Sequence, residues 1–268
     1  MGLLHIFVLA VVQGITEFLP ISSSGHLILV PVLTDWPDQG ILIDVAVHVG
    51  TLGAVMFYFR RDVAGVFRAI WQLLTFNHHK NEEQGLFWAL VVATVPVVIV
   101  GGILSLSGWN DMLRSAEVIG WASIIFGLLL YVVDLKSPQK DDLGQVTLRQ
   151  AVWLGLAQVL ALIPGTSRSG ITMTAARGMG FSRVAAARFS MLMSIPTILA
   201  AGLIEGAKLY HSGSVTLGMD ALFSATLAFF AALLAIAGLM AWLKRASMAP
   251  FVWYRVALGI GLLCWVYL

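Results

Sequence analysis

The sequence predicts an all-α polytopic membrane protein, an inverted-topology repeat with two re-entrant helix hairpins and about six full transmembrane helices. Three observations carry that prediction. First, only 11% of the 268 residues are charged and 59% are apolar, against about 25% charged in an ordinary soluble domain. The mean hydropathy is +0.90. So few charges cannot clothe a water-facing surface, and so much apolar area cannot stay disordered. Second, the runs 41–59, 85–106, 118–133, 184–203, 221–243 and 251–268 approach the ~20 residues a helix needs to cross a bilayer. Such runs are far too long for the strands of a membrane barrel. Third, two regions of the chain break in their middle at a polar turn.

The first broken region is 2–36. An apolar run is interrupted by Gln13, Glu17 and Pro20, then by Ser22, Ser23, Ser24, Gly25 and His26, before a second apolar run. It lacks a basic start and a small-residue cleavage pattern, so it reads as part of the fold and not as a signal peptide. The second broken region is 149–180. There Pro164-Gly165-Thr166-Ser167-Arg168-Ser169-Gly170 separates two short apolar runs, and a helix is expected to start at Ile171. Each half is too short to cross. Each turn is too polar to face lipid and must line a cavity or lie within protein. Both regions read apolar helix, proline, hydroxyl-rich turn, glycine, apolar helix, and three spans follow each. An odd number of spans per half makes the halves inverted copies. The predicted organisation is one integral membrane domain, with a first half over 1–134 and a second over 149–268.

Charge sets the expected orientation. Arg60, Arg61, Arg68, Lys80, Lys136, Lys140, Arg149, Arg183, Lys244 and Arg245 fall on one side. The other side carries Asp35, Asp38, Asp111 and Glu117, with Arg114 and Lys208 as its bases. The basic side is expected to be cytoplasmic, which places both termini on the periplasmic side. The stretch 63–76 is expected along the cytoplasmic interface. Trp36, Tyr58, Trp109, Trp121, Tyr131, Trp242, Trp253 and Tyr254 are expected to be interfacial anchors. The net charge of +2 has no basic stripe, which excludes a nucleic-acid partner. The single cysteine, Cys264, excludes an internal disulfide and a thiol metal cluster.

Ionisable side chains at membrane depth mark a site by default, and Glu17, His26 and Arg168 stand out. Gln13 and Glu17, four apart, share one helix face. Gly165 and Gly170, with Thr166, Ser167 and Ser169, make a donor-rich turn ahead of a helix N-terminus, which favours an anion. Arg168 adds a planar fork suited to phosphate oxygens. Ser22, Ser23 and Ser24 repeat those donors in the first turn. A serine and His26 together offer a nucleophile and a proton shuttle. Glu17 can orient His26, act as a base, or hold a hard divalent cation. Asp44 and His48 share a helix face; they either border the same cavity or, as the preferred reading, serve packing or hydrogen bonding. Arg177 and Arg188 either extend a basic wall or snorkel to headgroups.

The segment Gln13-Gly14-Ile15-Thr16-Glu17-Phe18-Leu19-Pro20-Ile21-Ser22-Ser23-Ser24-Gly25-His26-Leu27 resembles the first signature of the bacterial undecaprenyl pyrophosphate phosphatase family, also known for bacitracin resistance. Pro164 to Gly170 resembles its second signature, and the stretch from Phe181 to Pro196 is also similar. The resemblance implies a bacterial inner-membrane enzyme that hydrolyses undecaprenyl pyrophosphate to the monophosphate carrier used in cell-wall synthesis. It implies a site opening outward and dependence on a divalent cation, Mg or Ca. Glu17, Ser23, His26 and Arg168 fall on the family's catalytic positions, with Glu17 as a metal ligand. Gln13 stands where the family also accepts glutamate, which leaves Glu17 as the motif's only carboxylate. Ser23, His26 or an activated water remain alternative nucleophiles. A transporter or flippase of an anionic lipid is the alternative function on the same architecture.

Overall fold

The computed structural model describes residues 2–34, 36, 40–76, 81–107, 115–138, 146–211 and 218–268. All regular structure among them is helical. The elements are α1 (Leu3–Thr16), α2 (Ser23–Thr34), α3 (Gly40–Tyr58), α4 (Arg60–Leu74), α5 (Glu82–Ser107), α6 (Ala116–Lys136), α7 (Leu148–Val159), α8 (Arg168–Gly178), α9 (Arg183–His211), α10 (Met219–Leu243) and α11 (Ala249–Tyr267). A 3-10 turn, Leu160–Leu162, follows α7.

Six helices, α3, α5, α6, α9, α10 and α11, are long and apolar enough to cross a membrane. They match the six predicted runs. The helix α9 continues to His211, beyond the apolar run that ends near 203, because the polar residues there are still compatible with helix. The helices α1, α2, α7 and α8 have 14, 12, 12 and 11 residues. At 1.5 Å per residue even α1 spans only about 21 Å, short of a ~30 Å hydrocarbon core. Trp36, just beyond α2, packs on His5 near the start of α1, with ring centroids 4.6 Å apart.

In lipid, helices associate through close packing at small residues. Here α3 lies along α10, α6 along α11, α1 along α10 and α7 along α5. The α3–α10 approach is tightest at Gly50, where a Cβ would sit 2.1 Å from the Ala225 carbonyl oxygen. Large apolar side chains such as Ile99, Leu128 and Leu234 face outward, where lipid tails solvate them.

The helix α4 is amphipathic. It turns Phe67, Trp71 and Leu74 outward, and Arg68 pairs with Glu83 at the start of α5. Arg188 of α9 pairs with Asp62 of α4. An interfacial position, as read from the sequence, suits this helix. Lys80, Lys140, Asp35, Asp38, Asp111, Arg114 and Trp109, also read as interfacial or loop groups, lie outside the described residues, as does the side chain of Lys208.

Arg177 neither lines a wall nor snorkels. It is fully buried. Its Nε donates to Asp134 Oδ1 at 3.0 Å, and its other nitrogens donate to the carbonyls of Asp134, Ser137, Pro138 and Phe181. Asp134 also accepts from Arg183 Nε at 2.8 Å and from the Met248 N–H at 3.2 Å. This cluster ties the C-terminal ends of α6 and α8 to the N-terminal ends of α9 and α11. Replacing Arg177 with Met leaves Asp134 paired with Arg183 but takes the donor from four carbonyls, which is expected to cost about 1–3 kcal/mol. Thermal unfolding in detergent should show a Tm lowered by several degrees, and an unchanged Tm would contradict the role given to the cluster.

Candidate active site

Glu17 continues the helical path of α1, and its N–H bonds the Gln13 carbonyl at 3.0 Å. The i, i+4 spacing brings Gln13 Nε2 to Glu17 Oε2 at 2.9 Å. The chain then turns through Phe18 to Ser22, with Ser22 at φ 72°. Ser23 opens α2, and its hydroxyl donates to Glu17 Oε2 at 2.8 Å.

The second turn follows the same plan. Gly165 has φ 90° and Ser167 has φ 67°. A side chain at Gly165 would meet the Ile119 carbonyl oxygen at 2.6 Å as well as a strained φ, so glycine is required there. Ser167 Oγ accepts from the Gly170 N–H at 3.1 Å and caps α8. The helix therefore starts at Arg168, three residues earlier than Ile171. Likewise Ser23 and Ser24 belong to the first turn of α2 and not to a loop. The sequence reading missed both starts because a non-glycine residue at positive φ is uncommon, and here two serines adopt it. Both helix N-termini consequently begin at the residues with the most chemistry, Ser23 and Arg168.

The two turns interlock. Arg168 Nη2 lies 2.8 Å from Glu17 Oε1 in an ion pair whose side chains are 13% and 7% exposed. Ser169 Oγ donates to the Leu19 carbonyl at 2.8 Å. Glu17, Ser23, Gln13 and Arg168 thus form one connected group. His26 makes its hydrogen bonds outside that group. Its Nδ1 meets the Ser22 carbonyl at 2.7 Å and its Nε2 the Tyr254 hydroxyl at 2.6 Å. His26 is oriented by those two groups; of the three roles open to Glu17, orienting His26 is not seen in its hydrogen bonds, which go to Ser23, Gln13 and Arg168. Ser22 and Ser167 are buried. Ser169 is a strut between the turns, and Thr166 Oγ1 is buried without a partner. The side chain of Ser24 lies outside the described residues. His48 is engaged with the Asp44 carbonyl of its own helix at 2.7 Å.

Four residues escaped the sequence reading. Arg255 of α11 is fully buried, and its Nη2 donates to the carbonyls of Gly165 and Thr166 at 3.0 and 2.8 Å. In a trans peptide the N–H points opposite to its C=O. Holding the Thr166 carbonyl on Arg255 therefore aims the Ser167 N–H away from Arg255. An arginine inside an apolar run was the available signal, since such residues mark function by default. Tyr254, read as an anchor, contacts His26. Thr172 and Ser190 share a 2.6 Å hydroxyl contact, and the Ser190 carbonyl faces Arg168 Nη1 at 3.5 Å. Only the tertiary fold brings these partners together.

Among the described residues no group of three or more His, Cys, Asp or Glu is placed to hold a metal. Gln13 Oε1, however, is buried and has no partner. Its amide orientation is fixed because Nε2 faces a carboxylate. One orphaned amide oxygen beside one carboxylate fits a hard cation that draws its other ligands from an anionic ligand and water. Two helix N-termini, an arginine fork and a serine held on a carboxylate can bind an anion and present a hydroxyl to it.

The family model described as bacitracin resistance protein BacA matches residues 6–261. Undecaprenyl-diphosphatase of Dinoroseobacter shibae is 51% identical over 269 residues, covering all of both chains. The Ruegeria pomeroyi protein of that name is 50% identical, over 98% of each chain. The one from Roseobacter denitrificans is 49% identical over 100% of each.

Replacing Arg255 with Met takes the donor from the Thr166 carbonyl and leaves the Gly165 carbonyl with only the Ser123 hydroxyl at 3.4 Å. The expected loss is about 1–3 kcal/mol, read as a lowered denaturation midpoint in mixed micelles. A midpoint equal to wild type would show that the turn holds its shape unaided.

Proposed function

Because the chain belongs to the bacitracin resistance protein BacA family, we propose that it is an undecaprenyl-diphosphate phosphatase. It hydrolyses undecaprenyl pyrophosphate to undecaprenyl phosphate and inorganic phosphate in the bacterial inner membrane, recycling the lipid carrier for cell-wall synthesis. The observation that carries the chemistry is the partly buried Arg168–Glu17–Ser23 group at the meeting of two helix N-termini.

The architecture read as supporting this is an inverted repeat. The helices α1 and α2 form one re-entrant hairpin and α7 and α8 the other. Three features favour that reading: Ser22 and Ser167 share a positive φ immediately before α2 and α8, α1 packs on α10 as α7 packs on α5, and all four helices are short. The halves are 1–134 and 149–268. Arg60, Arg61, Arg68, Lys136, Arg149, Arg183, Lys244 and Arg245 mark the cytoplasmic side. Both termini are then periplasmic, and the site opens to the periplasm.

In the proposed mechanism the pyrophosphate enters between the two turns. Arg168 exchanges Glu17 for phosphate oxygens, as its planar fork allows. Donors from Ser22, Ser24, Gly165, Thr166, Ser167, Ser169 and Gly170 line or shape the anion site. Glu17 and Gln13 are the residues that would hold a divalent cation, Mg or Ca, which would supply charge neutralisation on the bound pyrophosphate. Ser23 Oγ attacks the terminal phosphorus while its proton passes to Glu17, and the bridging P–O bond breaks with its electron pair leaving on the lipid phosphate. Water then attacks the phosphoserine and gives its proton to His26 Nε2. The P–Oγ electron pair returns to Ser23, which takes back the proton from Glu17. Phosphoryl transfer depends chiefly on such positioning and charge stabilisation. Transport of the intact lipid needs no hydroxyl held on a carboxylate, which favours the hydrolase.

Purified protein in detergent is expected to release phosphate from undecaprenyl pyrophosphate with Mg or Ca, and to stop on chelation. Folded Ser23→Ala or His26→Ala protein should lose roughly 10²-fold or more in turnover. Wild type that folds but releases no phosphate with any cation would overturn the proposal. Arg168→Lys keeps the charge but not the fork and should also fall by at least about tenfold. Full activity there would remove the fork from the mechanism.

A further inference from the structure

Both ring nitrogens of His26 are engaged, and their partners are not equivalent. The Ser22 carbonyl, 2.7 Å from Nδ1, can only accept, so Nδ1 carries the proton of the neutral ring. Nε2 is then the lone-pair nitrogen. The Tyr254 hydroxyl, 2.6 Å away, must donate to it. The two rings lie within 7° of parallel, with centroids 5.6 Å apart. Tyr254 comes from α11, 228 residues further along the chain. Its neighbour Arg255 is bonded to the Gly165 and Thr166 carbonyls of the second turn. One short stretch of α11 therefore reaches both turns, the first through Tyr254 and the second through Arg255. Arg255 is anchored in the second turn, so Tyr254 is presented to His26 from a fixed base.

We infer that Tyr254 is a positioning residue for the reaction, holding His26 in the Nδ1–H tautomer with Nε2 as its only basic nitrogen. This rests on the phosphatase reading above. Between turnovers the phenol O–H donates to Nε2. When water attacks the phosphoserine, the hydroxyl turns aside and Nε2 takes the proton as the new O–P bond forms and the P–Oγ bond breaks. The phenol oxygen then accepts from Nε2–H and steadies the imidazolium until its proton leaves to solvent. Tyr254 is exposed, so its hydroxyl has room to turn. Without the phenol, the Ser22 carbonyl alone orients the ring, and Nε2 loses its second anchor. The contact with substrate does not change, so binding is spared and the chemical step suffers.

The experiment combines ring 15N spectra of histidine-labelled protein in detergent with steady-state kinetics, using His26→Asn to assign the His26 signals. In wild type, His26 should show a protonated Nδ1 and a hydrogen-bonded, unprotonated Nε2. In Tyr254→Phe, Nε2 should shift toward the value of an unbonded nitrogen. The same variant should lose roughly tenfold in kcat while KM stays within about twofold. A wild-type spectrum with the proton on Nε2 overturns the inference, and it needs no variant to fold. A Tyr254→Phe protein with unchanged Nε2 shift and unchanged kcat overturns it as well. Absence of phosphate release by wild type would instead sink the phosphatase reading, while the spectra still decide the Tyr254–His26 contact.

Discussion

The buried ion pair between Glu17 and Arg168 is the contact on which the rest of this site depends. It joins residues 151 positions apart, one at the end of α1 and the other at the start of α8. Neither charge is tolerable alone at that depth, because an unpaired buried ion costs several kcal/mol. Together they bring two helix N-termini to one place. Those termini carry positive partial charge, and Arg168 adds a full one. An anion with several oxygens can displace Glu17 from Arg168 and gain all three. In the proposed mechanism the pair holds without substrate and is exchanged for it.

Around this contact the bundle is arranged to keep two polar turns away from lipid. Buried packing at small residues lets helices approach closely, as at Gly50 against Ala225. Arg255 fixes the second turn from behind through its carbonyls. Ser169 bonds it to the first turn through Leu19. At the far end of α8, Arg177 and Asp134 fix the helix to α6. The helix that carries Arg168 is therefore held at both ends. A site that works by position needs this, since small misplacements of reacting groups are costly.

Much of this was legible in the residue order. The six long helices follow from bilayer thickness, which demands long apolar runs wherever a chain crosses. Gln13 and Glu17 meet because four residues make about one helical turn. Glu17, His26 and Arg168 were recognisable as ionisable groups where lipid forbids them. Less legible were contacts set by tertiary geometry. The starts of α2 and α8 depend on two serines at positive φ, which no propensity favours. Glu17 bonds Ser23 and not His26, a choice made by the path of the turn. Arg177 read equally as part of a basic wall or as a headgroup contact until its five acceptors were in place. Tyr254 and Arg255 act on turns more than eighty residues away, and nothing local to them states it.

The most direct test is a double-mutant cycle on Glu17→Gln and Arg168→Gln, reading thermal or denaturant stability in detergent. Each single variant leaves one buried charge unpaired, whereas the double variant leaves none. The account predicts that the double variant is more stable than the sum of the single losses allows, with a coupling of about 1–3 kcal/mol. Strictly additive losses would show that the two charges do not hold the turns together, and would contradict the central claim.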